Sequence, residues 1–76
     1  MTILIAGGCG FIGLALSERL LADGAAVIAF DRNPPPAAAA RRFADLPGTW
    51  TAVAGDVRDP DALARACRDH GVRQAF

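Results

Sequence analysis

Lysine and tyrosine are both absent from this 76-residue chain, and all eight of its basic residues are Arg. Their absence excludes whole reaction types. A Walker-type phosphate loop needs a Lys, Schiff-base chemistry needs a Lys, and a Tyr-Lys proton relay needs both. Charge of one sign is lacking as well: eight acidic residues balance the eight arginines. The arginines are scattered apart from the Arg41-Arg42 pair, so no basic stripe is available for nucleic acid or anionic lipid, and neither partner is expected. Thr2 to Ser17 carries no charge, yet Gly7, Gly8, Gly10 and Gly13 interrupt it and no basic residue precedes it. It is too short to span a bilayer and does not read as a signal peptide or anchor. Cysteine is sparse too. Cys9 and Cys67 lie far apart without a secretory signal, which predicts reduced thiols and a cytoplasmic setting.

Large apolar side chains are also few. The apolar share is 53%, but 17 of those residues are Ala. A chain this short forms one domain at most. With about 60% of its unfolded surface buried, it has little hydrophobic gain beyond the entropy lost on ordering. Independent stability is therefore expected to be marginal.

The chain reads as alternating strands and helices. Thr2-Ile3-Leu4-Ile5-Ala6 is a continuous apolar run closed by glycines, as in a parallel strand covered on both faces. After it, Ile12, Leu16 and Leu20 recur at i, i+4 and i+8 while Ser17, Glu18, Arg19 and Asp23 fall opposite. This spacing predicts an amphipathic helix stopped by Gly24, with the leucine side inward. Ala26 to Phe30 is a second buried strand, ending at Asp31. The prolines 34–36 make a turn, and the alanines after them predict a short helix to about Leu46. Thr49 to Ala54 is a β-branched and aromatic third strand. Asp59-Pro60-Asp61 starts a last helix, with Asp59 as cap, along which Leu63, Ala66, Cys67 and His70 line one side until Gly71. Val72 to Phe76 reads as a fourth strand. There is no internal repeat.

Gly7-Gly8-Cys9-Gly10-Phe11-Ile12-Gly13 falls between the first strand and the first helix, the context in which glycine spacing acquires a mechanism. Two spacings coexist, glycines at 7, 10 and 13 and glycines at 8, 10 and 13. A pyrophosphate-binding turn needs a sharp reversal, open backbone where the anion approaches, and no side chain where helix meets strand. The first N–H groups of the helix then face the anion. At the end of the second strand, Asp31 stands where a carboxylate accepts the ribose hydroxyls of an adenosine. The competing reading of Asp31 is a solvated turn former ahead of the prolines, and the glycine loop favours the ribose role.

Taken together, Ala6 to Gly13 with its Gly-Phe-Ile-Gly phrase, Asp31, and Gly55-Asp56-Val57-Arg58-Asp59 resemble the NAD-dependent epimerase/dehydratase family of extended short-chain dehydrogenase/reductases. The likeness runs over essentially the whole chain. It implies that Gly7, Gly10 and Gly13 form the pyrophosphate turn, with the backbone at Phe11 and Ile12 near the phosphates. It implies further that Asp31 holds the adenosine ribose and that Asp56 and Val57 border the adenine. Ala6 departs from the family's usual Thr. A larger departure is that the family's Tyr-x-x-x-Lys pair, in which Tyr is the acid/base and Lys lowers its pKa, has no counterpart here. The fold implied is α/β, the first half of a doubly wound Rossmann sheet with strand order 3-2-1 and a nascent fourth strand, so residues 1–76 form a partial dinucleotide-binding domain.

The function expected is the NAD(P)-binding N-terminal fragment of a sugar-nucleotide epimerase/dehydratase, inactive alone, meeting a nucleotide-sugar only in a longer form. A non-catalytic dinucleotide-binding module and the product of a decayed reading frame are the alternatives. Arg32 offers a guanidinium to a 2′-phosphate, but Asp31 repels one, so NAD is expected rather than NADP. Cys9 reads as a small filler. Cys67 with His70 reads as core packing and a helix-end charge and not as half a metal site. Trp50 reads as a core or sheet-face residue, and Arg41 and Arg42 as solvent-facing.

Overall fold

The computed structural model describes residues 1–76. Strand β1 (Thr2–Ala6) is central because Ile3, Leu4 and Ile5 are buried on both faces of the sheet. Strand β2 (Ala26–Asp31) lies parallel to it, from Thr2 opposite Ala26 to Ala6 opposite Phe30. Strand β3 (Thr49–Ala54) continues the sheet outward, from Ala26 opposite Thr49 to Asp31 opposite Ala54. Strand β4 (Gln74–Ala75) pairs with the other side of β1. Main-chain bonds from Arg73 N to Thr2 O (2.9 Å) and from Ala6 N to Phe76 O (2.8 Å) extend that pairing. All pairs are parallel and the order is β3-β2-β1-β4, as the doubly wound reading requires.

Alternation along the strands divides the core in two. Ile5 and Val27 meet helix α1 (Phe11–Ala22) and helix α2 (Ala37–Phe43) through Leu21, Ala39 and Phe43. Leu4, Ile28 and Phe30 meet helix α3 (Pro60–Asp69) through Ala66, with Leu63 and Cys67 packed alongside. The first two crossovers cover one face and the third covers the other, so the order in which strands are added reverses at β1, with β2 and β3 on one side of it and β4 on the other. Ligands of open α/β sheets bind beyond the carboxyl ends of the strands at such a point.

Helix signals are realised closely. Asp59 accepts hydrogen bonds from Asp61 N (3.1 Å) and Ala62 N (3.2 Å), and Pro60 occupies the first turn. Beyond the last turns, Gly24 and Gly71 take φ of 88° and 62°, where a side chain would be strained. Helix α2 ends at Phe43, earlier than the expected Leu46, and Leu46 reaches the core from the following turn. Trp50 is half-buried with its ring edge-on to Phe43 at 5.3 Å. No helix is long and apolar enough to cross a membrane.

Two expected faces are corrected. Helix α1 buries Gly13, Ser17 and Leu21, with Leu16 and Leu20 only flanking; Ile12 is 80% exposed whereas Ser17 is 0% exposed. Gly13 sets this phase. A Cβ there would lie 2.6 Å from Gly7 O and 2.7 Å from Gly8 Cα, so the start of the helix rests directly on the loop. Residues one and two turns later must then face the sheet. His70 lies outside the α3 stripe, exposed at the C-terminal cap, because the helix has ended by that position.

The buried Ser17 Oγ has no hydrogen-bond partner. Removing an unpartnered buried hydroxyl relieves a desolvation penalty, so Ser17→Ala is expected to raise stability by about 1 kcal/mol, read from the urea midpoint at constant slope. A lower midpoint would reject this account of Ser17.

Candidate dinucleotide site

Four glycines build the loop after β1, each for a different reason. Gly7 takes φ +72°, turning the chain off the strand while its N–H donates to Phe30 O (2.8 Å). Gly8 is pressed against β2: a Cβ would lie 2.7 Å from Ala29 Cα and 2.9 Å from Ile5 O. Gly13 carries the helix contact already described. Gly10 differs. Its φ of −79° and ψ of 175° suit any residue, and a Cβ there would meet nothing nearer than Gly7 O at 3.4 Å. The fold does not require glycine at position 10, so the missing side chain leaves open backbone facing outward.

Beside that opening, Phe11 and Ile12 begin α1, and their main-chain N–H groups have no acceptor within the chain. This is the ordinary condition of a helix N-terminus and presents partial positive charge to an anion. Their side chains project into solvent, 91% and 80% exposed. What they can offer an anion on this side is thus main-chain.

Asp31 ends β2 level with the loop. Oδ2 accepts the Cys9 N–H (3.1 Å) and Oδ1 accepts the Asn33 N–H (3.0 Å), leaving further acceptor capacity on each oxygen. The Cys9 bond ties the glycine loop to the tip of the neighbouring strand. The thiol of Cys9 is raised above its usual pKa, by burial first and by the Asp31 charge second. It is therefore a protonated filler at neutral pH, as its position in a tight loop suggests.

Asp56 follows β3 and is gripped by Arg58. Arg58 N donates to Oδ1 (2.9 Å), and Nε and Nη2 reach the carboxylate at 3.2 and 2.9 Å. Arg32 Nη1 stands 3.9 Å from Asp56 Oδ2. Side-chain hydrogen bonding from Arg58 holds the Asp56 carboxyl down at about 2, and the Arg58 guanidinium is raised in turn.

Of the residues singled out in the sequence, Gly7, Asp31, Arg32, Asp56 and Val57 line a single hollow of about 320 Å³ together with Arg58. A second hollow of about 270 Å³ shares Asp31 and Arg32 and runs past Cys9, Asn33 and Ala52. Gly10, Phe11 and Ile12 form the adjoining helix start, and Gly13 lies buried beneath it. The sequence reading missed the Cys9 N–H and Arg58. Position i+2 after an Asp at the end of a strand is where an Asx turn places its donor, and this spacing would have pointed to Arg58. Elsewhere, Cys67 packs in the core, and Arg42 pairs with Glu18 at 2.7 Å on the surface.

A depressed carboxyl stabilises the folded form above its ordinary pKa, and that contribution fades only as pH falls through the folded value. The Asp56 carboxyl carbon, followed by NMR, is expected to titrate at about 2. Arg58→Ala is expected to return it toward the ordinary carboxylate range; an unchanged midpoint would remove Arg58 as the cause.

Residues 3–76 match the NAD dependent epimerase/dehydratase family model. Over 72 residues the chain is 39% identical to the 3-dehydrosphinganine reductase TSC10B of Arabidopsis thaliana, covering 91% of this chain and 22% of that protein. A crystal structure of a short chain dehydrogenase from Mycobacterium thermoresistibile superposes with a TM-score of 0.74 at 34% identity, covering 90% of this chain and 27% of that one. The chain thus spans 22% and 27% of the length of these two relatives. With its parallel order β3-β2-β1-β4 and its glycine loop at the switch point, the chain belongs to the NAD-dependent epimerase/dehydratase family, a group of extended short-chain dehydrogenases that use a nicotinamide dinucleotide.

Proposed function

We propose that the chain is the dinucleotide-binding part of an oxidoreductase of the sugar-nucleotide epimerase/dehydratase type, that it takes NAD in preference to NADP, and that it is catalytically incomplete by itself. The observation that carries the reading is the open backbone at Gly10. The protein's own packing leaves that position free, and a closely approaching phosphate is what such an opening serves. The free N–H groups of Phe11 and Ile12 supply donors there, with Gly7 forming the turn and Gly13 bringing the helix close enough. Asp31 has acceptor capacity left for ribose hydroxyls, while Asp56 and Val57 border the space for the adenine.

When bound, the nicotinamide ring exchanges a hydride with a substrate carbon. This chain's residues bind and orient the adenosine and pyrophosphate end. They include no Tyr or Lys for the proton transfer that accompanies hydride movement. A nucleotide-sugar therefore meets groups supplied by further sequence. The unpaired thiols of Cys9 and Cys67 support a reducing, cytoplasmic setting. A second reading is favoured by the likeness to a 3-dehydrosphinganine reductase: the same nucleotide-binding part would serve reduction of a carbonyl substrate. Activity of the longer enzyme with a nucleotide-sugar, against activity with a ketone and a reduced dinucleotide, separates the two.

Gly10→Val is expected to abolish dinucleotide binding by calorimetry while leaving the circular dichroism spectrum unchanged, since the backbone there accepts any residue. Retained affinity would mean that the loop does not hold the phosphates. Asp31→Asn is expected to weaken NAD several-fold more than NADP, because the charge that opposes a 2′-phosphate is lost together with a ribose acceptor. Equal losses for the two would take Asp31 out of the ribose role.

A further inference from the structure

The tips of β2 and β3 stand side by side, Asp31 opposite Ala54, and this register sets four charges around one hollow: Asp31, Arg32, Asp56 and Arg58. Asp31 and Arg32 alone leave the choice of cofactor ambiguous. The carboxylate suits ribose hydroxyls and repels a 2′-phosphate, whereas the adjacent guanidinium suits the phosphate. The balance is set by what else engages the arginines. Arg58 gives its main-chain N, Nε and Nη2 to Asp56, and Arg32 Nη1 lies 3.9 Å from the same carboxylate oxygen that takes Arg58 Nη2. Neither arginine is paired with any other carboxylate, and both side chains are largely exposed, at 65% and 75%. Without Asp56, two free guanidiniums would line the same hollow as Asp31, and guanidiniums are the groups that bind a phosphate dianion.

We propose that Asp56 is a specificity-determining residue: by gripping Arg58 and drawing on Arg32 it withholds both guanidiniums from a ribose 2′-phosphate, and so commits the site to NAD. The inference rests on the dinucleotide reading of the site and deepens it. Asp56 acts through the two arginines, as a positioning residue for them. Its own ionisation persists throughout the working pH range, since Arg58 keeps the carboxyl at about 2. The surrounding charges, two negative and two positive, then cancel, and an added phosphate finds no uncompensated cation.

The test is the ratio of NADP to NAD affinity, measured by calorimetry on the chain and repeated with 2′,5′-ADP and ADP, which differ only in the 2′-phosphate. Asp56→Asn is expected to raise both ratios about tenfold, mainly by tightening the phosphorylated ligand. Adding Arg32→Ala and Arg58→Ala in that background is expected to return them to the starting value. Arg58→Ala alone keeps Asp56 and leaves it undivided on Arg32, so the ratios are expected to fall; this variant tests the inference independently of how well Asp56→Asn folds. Unchanged ratios in Asp56→Asn with ADP still bound, or a rise in Arg58→Ala, would overturn the role of Asp56 and leave the dinucleotide site standing. A folded wild-type chain that binds neither ADP nor NAD would overturn both.

Discussion

The close approach of three backbone segments, Gly13 of α1 on the Gly7-Gly8 turn and Gly8 on Ala29 of β2, is the constraint on which the rest of the molecule depends. A Cβ at Gly8 or Gly13 would sit under 3 Å from backbone atoms. Main chain rather than side chain forms that contact, and main chain does not yield as the end of a flexible side chain does. Two consequences follow from the one contact. The phase of α1 is locked, so Ser17 and Leu21 turn inward. The helix N-terminus is also brought over the end of β1, and Cys9 comes within hydrogen-bonding reach of Asp31.

Elsewhere the stabilising interactions are modest. Fourteen of 76 residues are buried, and the apolar ones centre on two small clusters, of five and four buried residues, on opposite faces of the sheet, which bears out the thin core that the alanine-rich composition implies. The Arg42–Glu18 pair joins α2 to α1 on the surface, where such pairs contribute about 0–1 kcal/mol. Burial of Phe43 and Ala39, with Trp50 edge-on to Phe43, therefore does more to place α2. At the carboxyl end of the sheet the emphasis shifts from packing to charge. Asp31, Arg32, Asp56 and Arg58 gather on the short segments that leave two adjacent strands, since parallel strands in register end level with one another.

Much of this was legible in the residues. The continuous apolar runs marked β1 and β2 because a parallel strand is buried on both faces and has no alternation to show. Asp59-Pro60 marked the start of α3 because capping is a local interaction. Gly7, Gly10 and Gly13, with Asp31, marked the glycine turn and the strand tip that the Cys9 bond ties to it. The inward face of α1 was misread because periodicity counts large apolar residues, whereas the residue that seats this helix is a glycine. A helix that begins on a glycine contact is phased by the side chain it lacks. His70 was misassigned for a simpler reason: spacing continues past the point where the helix stops.

The amino-acid order by itself determined the alternation of strands and helices, the parallel character of the sheet, the glycine turn and the absence of a Tyr-Lys pair. These depend on local backbone preference, on runs of apolar residues and on inventory, all of which are carried along the chain. Only the tertiary structure decided which glycine serves what, since the crowding at Gly8 and the open space at Gly10 come from atoms distant in sequence. It alone joined Cys9 to Asp31 and brought Arg32 beside Asp56, because hydrogen bonds and Coulomb attraction act across space and the register between β2 and β3 sets those distances.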